Sequence, residues 1–188
     1  MSTYNHFEYY KKNYKAFTRP NLTANGTMGG SSFACDQQGY YTDPGRPQQA
    51  WYCFDGNRTT TGNEWQINSV NTGAYYWISW YNPKPLKLVL VQICNSSGEY
   101  SVKDYILSGS DDNTLWTELV SGTNNNTTGL GLWTIAVPES TKEYKYWKLE
   151  CKPRSSTSLM ILEISFPGAK YWDGTYTKVE GGGTTTWQ

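Results

Sequence analysis

The sequence has little of what most enzymes and nucleic-acid-binding proteins need. It holds one histidine among 188 residues, His6, which stands close to the N-terminus. A catalytic triad or a general acid–base pair therefore has no histidine in the body of the chain. Only 17% of the residues are charged, with 16 basic and 16 acidic side chains, so no net field attracts a polyanion. The composition indicates a protein that is not an enzyme and whose main partner is not a nucleic acid.

Long apolar runs are also missing. No stretch approaches the roughly 20 apolar residues that a membrane-spanning helix needs, so we expect no membrane insertion. The N-terminal stretch, residues 1–17, lacks the apolar centre of a secretory signal peptide. If the protein acts outside a cell, we expect it to arrive there by another route.

Paired cysteines are absent as well. The four cysteines, Cys35, Cys53, Cys94 and Cys151, show no CxxC spacing, which argues against a structural zinc site. Each lies in an apolar or strand-like run, so we expect buried thiols. A disulfide between Cys35 and Cys151 is the alternative, disfavoured by the missing signal peptide.

Aromatic residues are abundant, at 16% of the chain, with 9 Trp and 16 Tyr. Short β-branched or aromatic runs recur between turns rich in Gly, Asn and Asp, as is typical of strands in an all-β protein. The runs are Phe33–Cys35, Tyr75–Trp80, Leu86–Cys94, Tyr105–Leu107, Trp116–Val120, Leu132–Val137, Tyr144–Cys151 and Leu159–Phe166. About eight strands at this spacing predict a β-sandwich.

The two ends of the chain differ from this pattern. Aromatic residues between Thr3 and Phe17 recur at steps of three and four, which predicts a short helical arm over residues 1–20. Residues 169–188 contain the turn signal Asp173-Gly174, which predicts a hairpin followed by a flexible Gly- and Thr-rich tail. The sandwich is then expected to span residues 21–168.

One carboxylate, Asp55, lies between Phe54 and a Gly-Asn turn. Three roles are open to it. As a catalytic group it lacks a partner of tuned pKa, as a turn residue it accepts local backbone N–H groups, and as a ligand for a hard cation it joins other oxygens of the same loop.

A set of short motifs occurs in order over about residues 21 to 167. They include Leu22-Thr-Ala-Asn-Gly-Thr27, Ala50-Trp51, Phe54-Asp-Gly-Asn57, Trp65, Trp77-Ile78, Val91-Gln-Ile93, Ser108-Gly-Ser-Asp-Asp112 followed by Trp116, Tyr146-Trp147-Lys-Leu149 and Ile161-Leu-Glu-Ile164. The set resembles the coagulation factor 5/8 type C, or discoidin, family, in character closest to its bacterial carbohydrate-binding modules of family 32. The resemblance implies an all-β, galactose-binding-like jelly-roll sandwich. Packing considerations alone predict that the tryptophans near the turns, Trp77 and Trp116 among them, close the ends of its core.

The resemblance also implies a structural calcium ion at the Asp55 turn. Its ligands would be the carbonyls of Tyr52, Asn57 and Leu162, the side chains of Asp55 and Glu163, and the hydroxyl or carbonyl of Thr60. Glu163 supports a bound cation independently, because a carboxylate in an apolar strand must be paired or metal-bound if it is buried.

Ligands of such modules lie on loops at one end of the sandwich. The segment 36–49 is polar, is stiffened by proline and offers two tyrosine rings beside an arginine. A sugar site needs an exposed aromatic ring with planar donors and acceptors. The candidate ligand-binding residues are Tyr40, Tyr41, Arg46, Asn95, Glu99 and Arg154.

Two functions follow as hypotheses. The first is a non-catalytic module that binds a cell-surface or polysaccharide glycan. The alternative is a structural or receptor-recognition component of a bacteriophage tail or a surface assembly, since Lys170–Glu180 resembles short hairpins of phage tail proteins and the aromatic arm is suited to docking on a neighbour or a second copy. Either function places the protein outside a cell, on a cell surface or on a virion.

Overall fold

The computed structural model describes the backbone of residues 3–23, 28–36, 49–59 and 64–185, and the side chains of 9–23, 28–36, 49–59 and 64–179. In this part the chain forms eleven strands and one short 3-10 helix, Ala50–Phe54. The strands are β1 (Thr3–Ala16), β2 (Ser32–Cys35), β3 (Trp65–Asn68), β4 (Tyr76–Lys87), β5 (Leu90–Asn95), β6 (Val102–Ser110), β7 (Thr117–Thr123), β8 (Leu132–Ala136), β9 (Tyr144–Pro153), β10 (Ser158–Ser165) and β11 (Lys170–Thr185).

The strands form two antiparallel sheets. The larger has the order β1-β11-β4-β9-β6-β7, with β2 also paired to β4, and the smaller has the order β3-β10-β5-β8. Strands that are distant in sequence are neighbours, as in β3-β10-β5, because the chain crosses between the sheets. The predicted all-β sandwich is confirmed.

The core lies between the sheets and follows from strand alternation. In β9 the side chains of Trp147, Leu149 and Cys151 are buried and the residues between them are partly exposed, as a strand with one face on a core requires. Trp80 of β4 lies at the centre, its ring centroid 4.8 Å from that of Phe54 and 6.1 Å from that of Phe166. The core therefore joins the large sheet, the 3-10 helix and the segment after β10.

The predicted N-terminal helix is wrong, because residues 3–16 form strand β1. This strand pairs with β11 from Thr3↔Thr185 to Ala16↔Lys170, so its backbone hydrogen bonds go to the other end of the chain. Tyr9 and Tyr10 are 57% and 64% exposed, although neighbours in a strand point to opposite faces. The aromatic spacing that suggested a helical face therefore does not reflect burial.

The predicted C-terminal hairpin is also wrong. Asp173-Gly174 forms a bulge inside β11, where the register passes from Tyr14↔Trp172 to Lys12↔Tyr176. The local turn chemistry is present, since Gly174 has a φ of 91° and the Thr175 amide donates to Asp173 Oδ1 at 2.9 Å. The chain continues in the same direction because β1, and not a second C-terminal strand, is its partner.

The two ends of the chain thus form one two-stranded ribbon. The ribbon pairs with β4 of the large sheet through Lys170↔Lys87 and Tyr171↔Leu86. Lys12 also contacts Glu143, just before β9, at 3.2 Å. We use the word ribbon for β1 together with β11.

The four cysteines are thiols, and the prediction of buried thiols is correct for Cys53, Cys94 and Cys151, whereas Cys35 is partly exposed. Burial raises the pKa of the Cys53 and Cys151 thiols, which keeps them protonated and unreactive. Within the described ranges no helix is long and apolar enough to cross a membrane.

Candidate functional site

Half of the ligand residues predicted from sequence, Tyr40, Tyr41 and Arg46, lie outside the described residues. The other half lie at one end of the sandwich. Asn95 is fully buried, and its Oδ1 accepts a hydrogen bond from Trp133 Nε1 at 3.0 Å. The Asn95 side chain is therefore part of the core and does not face solvent.

Arg154 is hydrogen-bonded to two loops at this end of the sandwich. Its Nε donates to Ser101 Oγ at 3.1 Å, and its Nη2 donates to the Asn124 carbonyl. The guanidinium thus joins the loops before β6 and after β7. Among the predicted ligand residues that the structure describes, Glu99 is the one whose side chain is exposed.

An arginine outside the predicted ligand set, Arg19, lies at the predicted metal site. Arg19 Nη2 pairs with Glu163 Oε1, and Arg19 Nη1 donates to the Phe54 carbonyl. Both side chains are buried, with 6% of Arg19 and 2% of Glu163 exposed. Burial raises the pKa of Glu163 to about 7, while the Arg19 charge acts in the opposite direction.

Two of the remaining predicted ligands, Asp55 and the Tyr52 carbonyl, accept from backbone N–H groups. Asp55 Oδ1 accepts from the Asn57 amide at 2.6 Å, and the Tyr52 carbonyl accepts from the Asp55 amide at 3.3 Å. Thr60 lies outside the described residues. The described part of the chain presents no group of three or more His, Cys, Asp or Glu side chains that could hold a metal. The calcium ion stays a prediction, and the arrangement of the described residues does not fit it.

A surface pocket of about 330 Å³ lies on the outer face of the large sheet. Its lining residues are Trp77, Asn113, Trp116 and Lys148. Trp77 is on β4 and Lys148 on β9, where Trp77 pairs with Glu150. We call these four residues the tryptophan pocket. Its volume is within the range of about 300–1,000 Å³ that small-molecule sites occupy.

The wall that carries Asn113 and Trp116 is a tight turn after β6. Asp112 Oδ1 accepts from the amides of Thr114 and Leu115 at 2.8 and 2.9 Å, and Ser110 Oγ accepts from the Asn113 amide at 3.0 Å. These N–H donors lower the pKa of Asp112. Asn113 has a φ of 63°, a left-handed conformation that asparagine tolerates. The turn therefore holds the exposed Asn113 side chain at the rim of the pocket.

Lys148 supplies a positive charge inside the pocket. Its Nζ lies 4.8 Å from the ring centroid of Trp116 and 3.2 Å from Glu150 Oε2. A cation over an indole face is attracted by the ring, and the carboxylate balances the charge. The pocket thus combines two indole rings, an amide and a balanced ion pair, which suits a neutral polar ligand with an apolar face.

Other aromatic side chains continue this face beyond the pocket. The rings of Tyr81 and Tyr146 pack at a tilt with centroids 4.8 Å apart. Lys152 Nζ lies 5.1 Å from the ring centroid of Tyr75, which is 40% exposed. The outer sheet face therefore carries further aromatic rings beyond the pocket.

Comparison with known proteins yields structural matches alone. No family model matches the sequence, and no curated protein matches it. The F5/8 type C domain of a Bacteroides fragilis protein superimposes with a TM-score of 0.58 at 18% identity, covering 76% of this chain and 91% of that one. The chain has the discoidin fold.

Two further structures with this discoidin fold contain sugars. The family 32 module of AlyQ in complex with 4,5-unsaturated mannuronic acid has a TM-score of 0.54 and 18% identity, covering 72% of this chain and 92% of that one. A family 32 module from Clostridium perfringens in complex with GalNAc-β-1,3-galactose has a TM-score of 0.57 and 14% identity, covering 73% and 94%. At these identities the matches establish the fold.

Within the discoidin fold, the prediction that the motif tryptophans are core plugs is correct for Trp65 and Trp147, which are buried. It is wrong for Trp77 and Trp116, which are partly exposed and line the tryptophan pocket. The sequence contains the signal for Trp77. In a strand, residues 77 and 80 lie on opposite faces, so Trp77 and Trp80 cannot both point into one core.

Proposed function

We propose that this chain is a non-catalytic module that binds a glycan on the outer face of its large sheet. The observation that carries the proposal is the tryptophan pocket, with Trp77 and Trp116 on a rigid sheet and turn. Sites on strands and tight turns hold their side chains in place before the ligand arrives, which lowers the entropic cost of binding.

The lining residues match the chemistry of a sugar ring. A sugar has an apolar C–H face, which an indole ring contacts without strict directionality, and a rim of hydroxyls, which needs donors and acceptors. Asn113 offers both a donor and an acceptor, and Lys148 offers a donor. Two modules of the same fold are solved in complex with a sugar, which supports glycan binding as the function.

The predicted loop residues Tyr40 and Tyr41 remain part of the proposal as a second contact region. Asp36, the last described residue before them, exchanges hydrogen bonds with Trp77: its Oδ2 accepts from the Trp77 amide at 3.2 Å, and its amide donates to the Trp77 carbonyl at 3.2 Å. Asp36, four residues before Tyr40, therefore lies beside Trp77 of the pocket.

A glycan array tests the proposal. Wild-type protein at high concentration is expected to retain at least one class of oligosaccharide, and the Trp116→Ala variant is expected to lose that signal. A Tyr40→Ala/Tyr41→Ala variant separates the loop from the pocket. No retained glycan for the wild type contradicts the proposed function, whereas loss in the tyrosine variant alone moves the site to the loop.

A second candidate, assembly into a larger structure such as a bacteriophage tail or a surface complex, is favoured by the ribbon. A two-stranded ribbon is marginal by itself in water, and open strand edges pair readily with other chains. Tyr9, Tyr10 and Tyr176 are each more than half exposed on it. Both candidates are compatible, and both imply a location outside a cell, on a cell surface or on a virion.

The assembly hypothesis predicts that the wild-type chain has a solution mass above that of one monomer, and that a Tyr9→Ser/Tyr10→Ser variant shifts toward the monomer. Light scattering after size exclusion measures both. A wild type that is monomeric at every concentration tested counts against homo-oligomerisation through the ribbon.

A further inference from the structure

Glu163 poses a charge problem for the fold. Its carboxylate lies in β10 with 2% of its side chain exposed, between the two apolar residues Leu162 and Ile164. A buried carboxylate is strongly unfavourable unless a positive charge and hydrogen-bond donors surround it. Where the protein supplies no positive charge or donor of its own, a bound cation usually balances the buried carboxylate.

Arg19 solves this problem from within the chain. Its guanidinium reaches Glu163 Oε1 and the Phe54 carbonyl at the same time, and Nη1 also lies 3.2 Å from the Pro20 carbonyl. The planar fork of an arginine is suited to two such acceptors. The contacts connect the segment after β1, the end of the 3-10 helix and β10.

Aromatic rings surround the same guanidinium. Its central carbon lies 5.5 Å from the ring centroid of Phe54 and 5.7 Å from that of Trp80. Both distances are within the range of about 6 Å at which a cation is attracted to a ring face. The positive charge is thus bound to the central aromatic cluster of the core as well as to Glu163.

The second carboxylate oxygen of Glu163 is satisfied too. The Gly56 amide donates to Oε2 at 3.0 Å. Gly56 has a φ of 85°, and a Cβ there would lie 2.3 Å from the Asn21 side chain, so only glycine brings this amide to the carboxylate. The Phe54 carbonyl also accepts from the Leu22 amide at 2.7 Å.

A divalent ion would need a different environment. Calcium binds six to eight oxygens at about 2.3–2.6 Å, whereas here the oxygens of Glu163, Asp55 and Phe54 accept from N–H groups, and a guanidinium lies among them. A divalent ion bound to Glu163 would lie next to the Arg19 guanidinium. Two positive groups so close together repel each other strongly in a buried site.

We propose that Arg19 is a built-in replacement for a divalent cation at this turn, so that the fold needs no metal there. The guanidinium ties the beginning of the sandwich to β10, which is the role a structural ion would have. The proposal is independent of glycan binding.

The first measurement is the melting temperature of the wild-type chain after dialysis against EDTA and again in excess calcium chloride. The two values are expected to agree within about 1 °C, since a ligand that binds the folded state shifts this temperature and an absent ligand does not. A fall of several degrees in EDTA, or a rise of several degrees in calcium, overturns the proposal.

The second measurement compares variants of two arginines, Arg19 and Arg58, in EDTA. Arg19→Ser leaves Glu163 buried and unpaired, and is expected to lower the melting temperature by about 10 °C. Arg58→Ser is the matched control, because Arg58 is exposed and donates to Ser165 Oγ at 2.7 Å, and a change within about 2 °C is expected. Equal melting temperatures for Arg19→Ser and the wild type overturn the proposal.

If Arg19→Ser does not fold, Arg19→Lys takes its place. Lysine keeps the charge but lacks the fork that reaches both the Phe54 carbonyl and Glu163. A melting temperature several degrees below that of the wild type supports the proposal, and an unchanged one overturns it.

Discussion

Trp80→Ala is expected to lower the free energy of unfolding by about 3–5 kcal/mol. Trp80 is 1% exposed, packs against Phe54 and Phe166, and contacts the Arg19 guanidinium. Removing its ring leaves a cavity at the point where the large sheet, the 3-10 helix and the segment after β10 meet. A domain is stable by only about 5–15 kcal/mol, so this loss removes a large part of its stability. The loss corresponds to a fall in melting temperature of about 10 °C or more.

Trp172→Ala is the matched control for this prediction. Trp172 lies on the ribbon and is 36% exposed. Its ring centroid lies 5.1 Å from that of Tyr176 and 5.3 Å from Lys12 Nζ. Its loss is expected to cost about 1 kcal/mol or less. Calorimetry or denaturant unfolding measures both variants, and a similar effect for the two would show that Trp80 is not the centre of the core.

Trp77→Ala/Trp116→Ala is expected to weaken glycan binding by about a hundredfold, or roughly tenfold for each ring, since each tenfold corresponds to about 1.4 kcal/mol. A few aromatic anchors carry most of the binding energy in such sites. Both side chains lie outside the core, so the melting temperature of the variant is expected to remain close to that of the wild type. Titration calorimetry with the glycan selected on the array measures the affinity.

The comparison needs a variant that removes tryptophan elsewhere on the surface. Trp172→Ala again serves, because the ribbon does not contribute to the tryptophan pocket, and its affinity is expected to equal that of the wild type. An unchanged affinity in the double variant, with the fold intact, would contradict the assignment of the pocket.

Most of the sandwich could be predicted from local sequence. Strands such as Tyr144–Pro153 alternate in polarity and end at turn residues, so both their existence and their buried face are encoded locally. The ribbon could not be predicted in this way, because β1 is a strand only by virtue of its pairing with β11, some 160 residues away. Among the side chains that the structure describes, residues 9–16 and 170–179, neither strand shows a periodic buried face. The spacing of the aromatic residues in β1 therefore does not mark a helix.

The candidate sites also combine features that the local sequence shows with contacts between residues far apart in the chain. The Asp55 turn and the importance of Glu163 followed from local chemistry and from the resemblance. The partner of Glu163 did not, since Arg19 is 144 residues away in sequence and precedes the first motif, Leu22-Thr-Ala-Asn-Gly-Thr27. The turn at Asp112 was visible in the sequence, but its meeting with Trp77 depends on strand order, with β6 beside β9 and β9 beside β4.

The central claim is that the tryptophan pocket on the outer sheet face binds a sugar. A crystal structure of the chain with the array-selected oligosaccharide tests it most directly. We expect a sugar ring against Trp77 or Trp116, with Asn113 or Lys148 hydrogen-bonded to its hydroxyls. A sugar bound elsewhere, with the pocket open, would contradict the account.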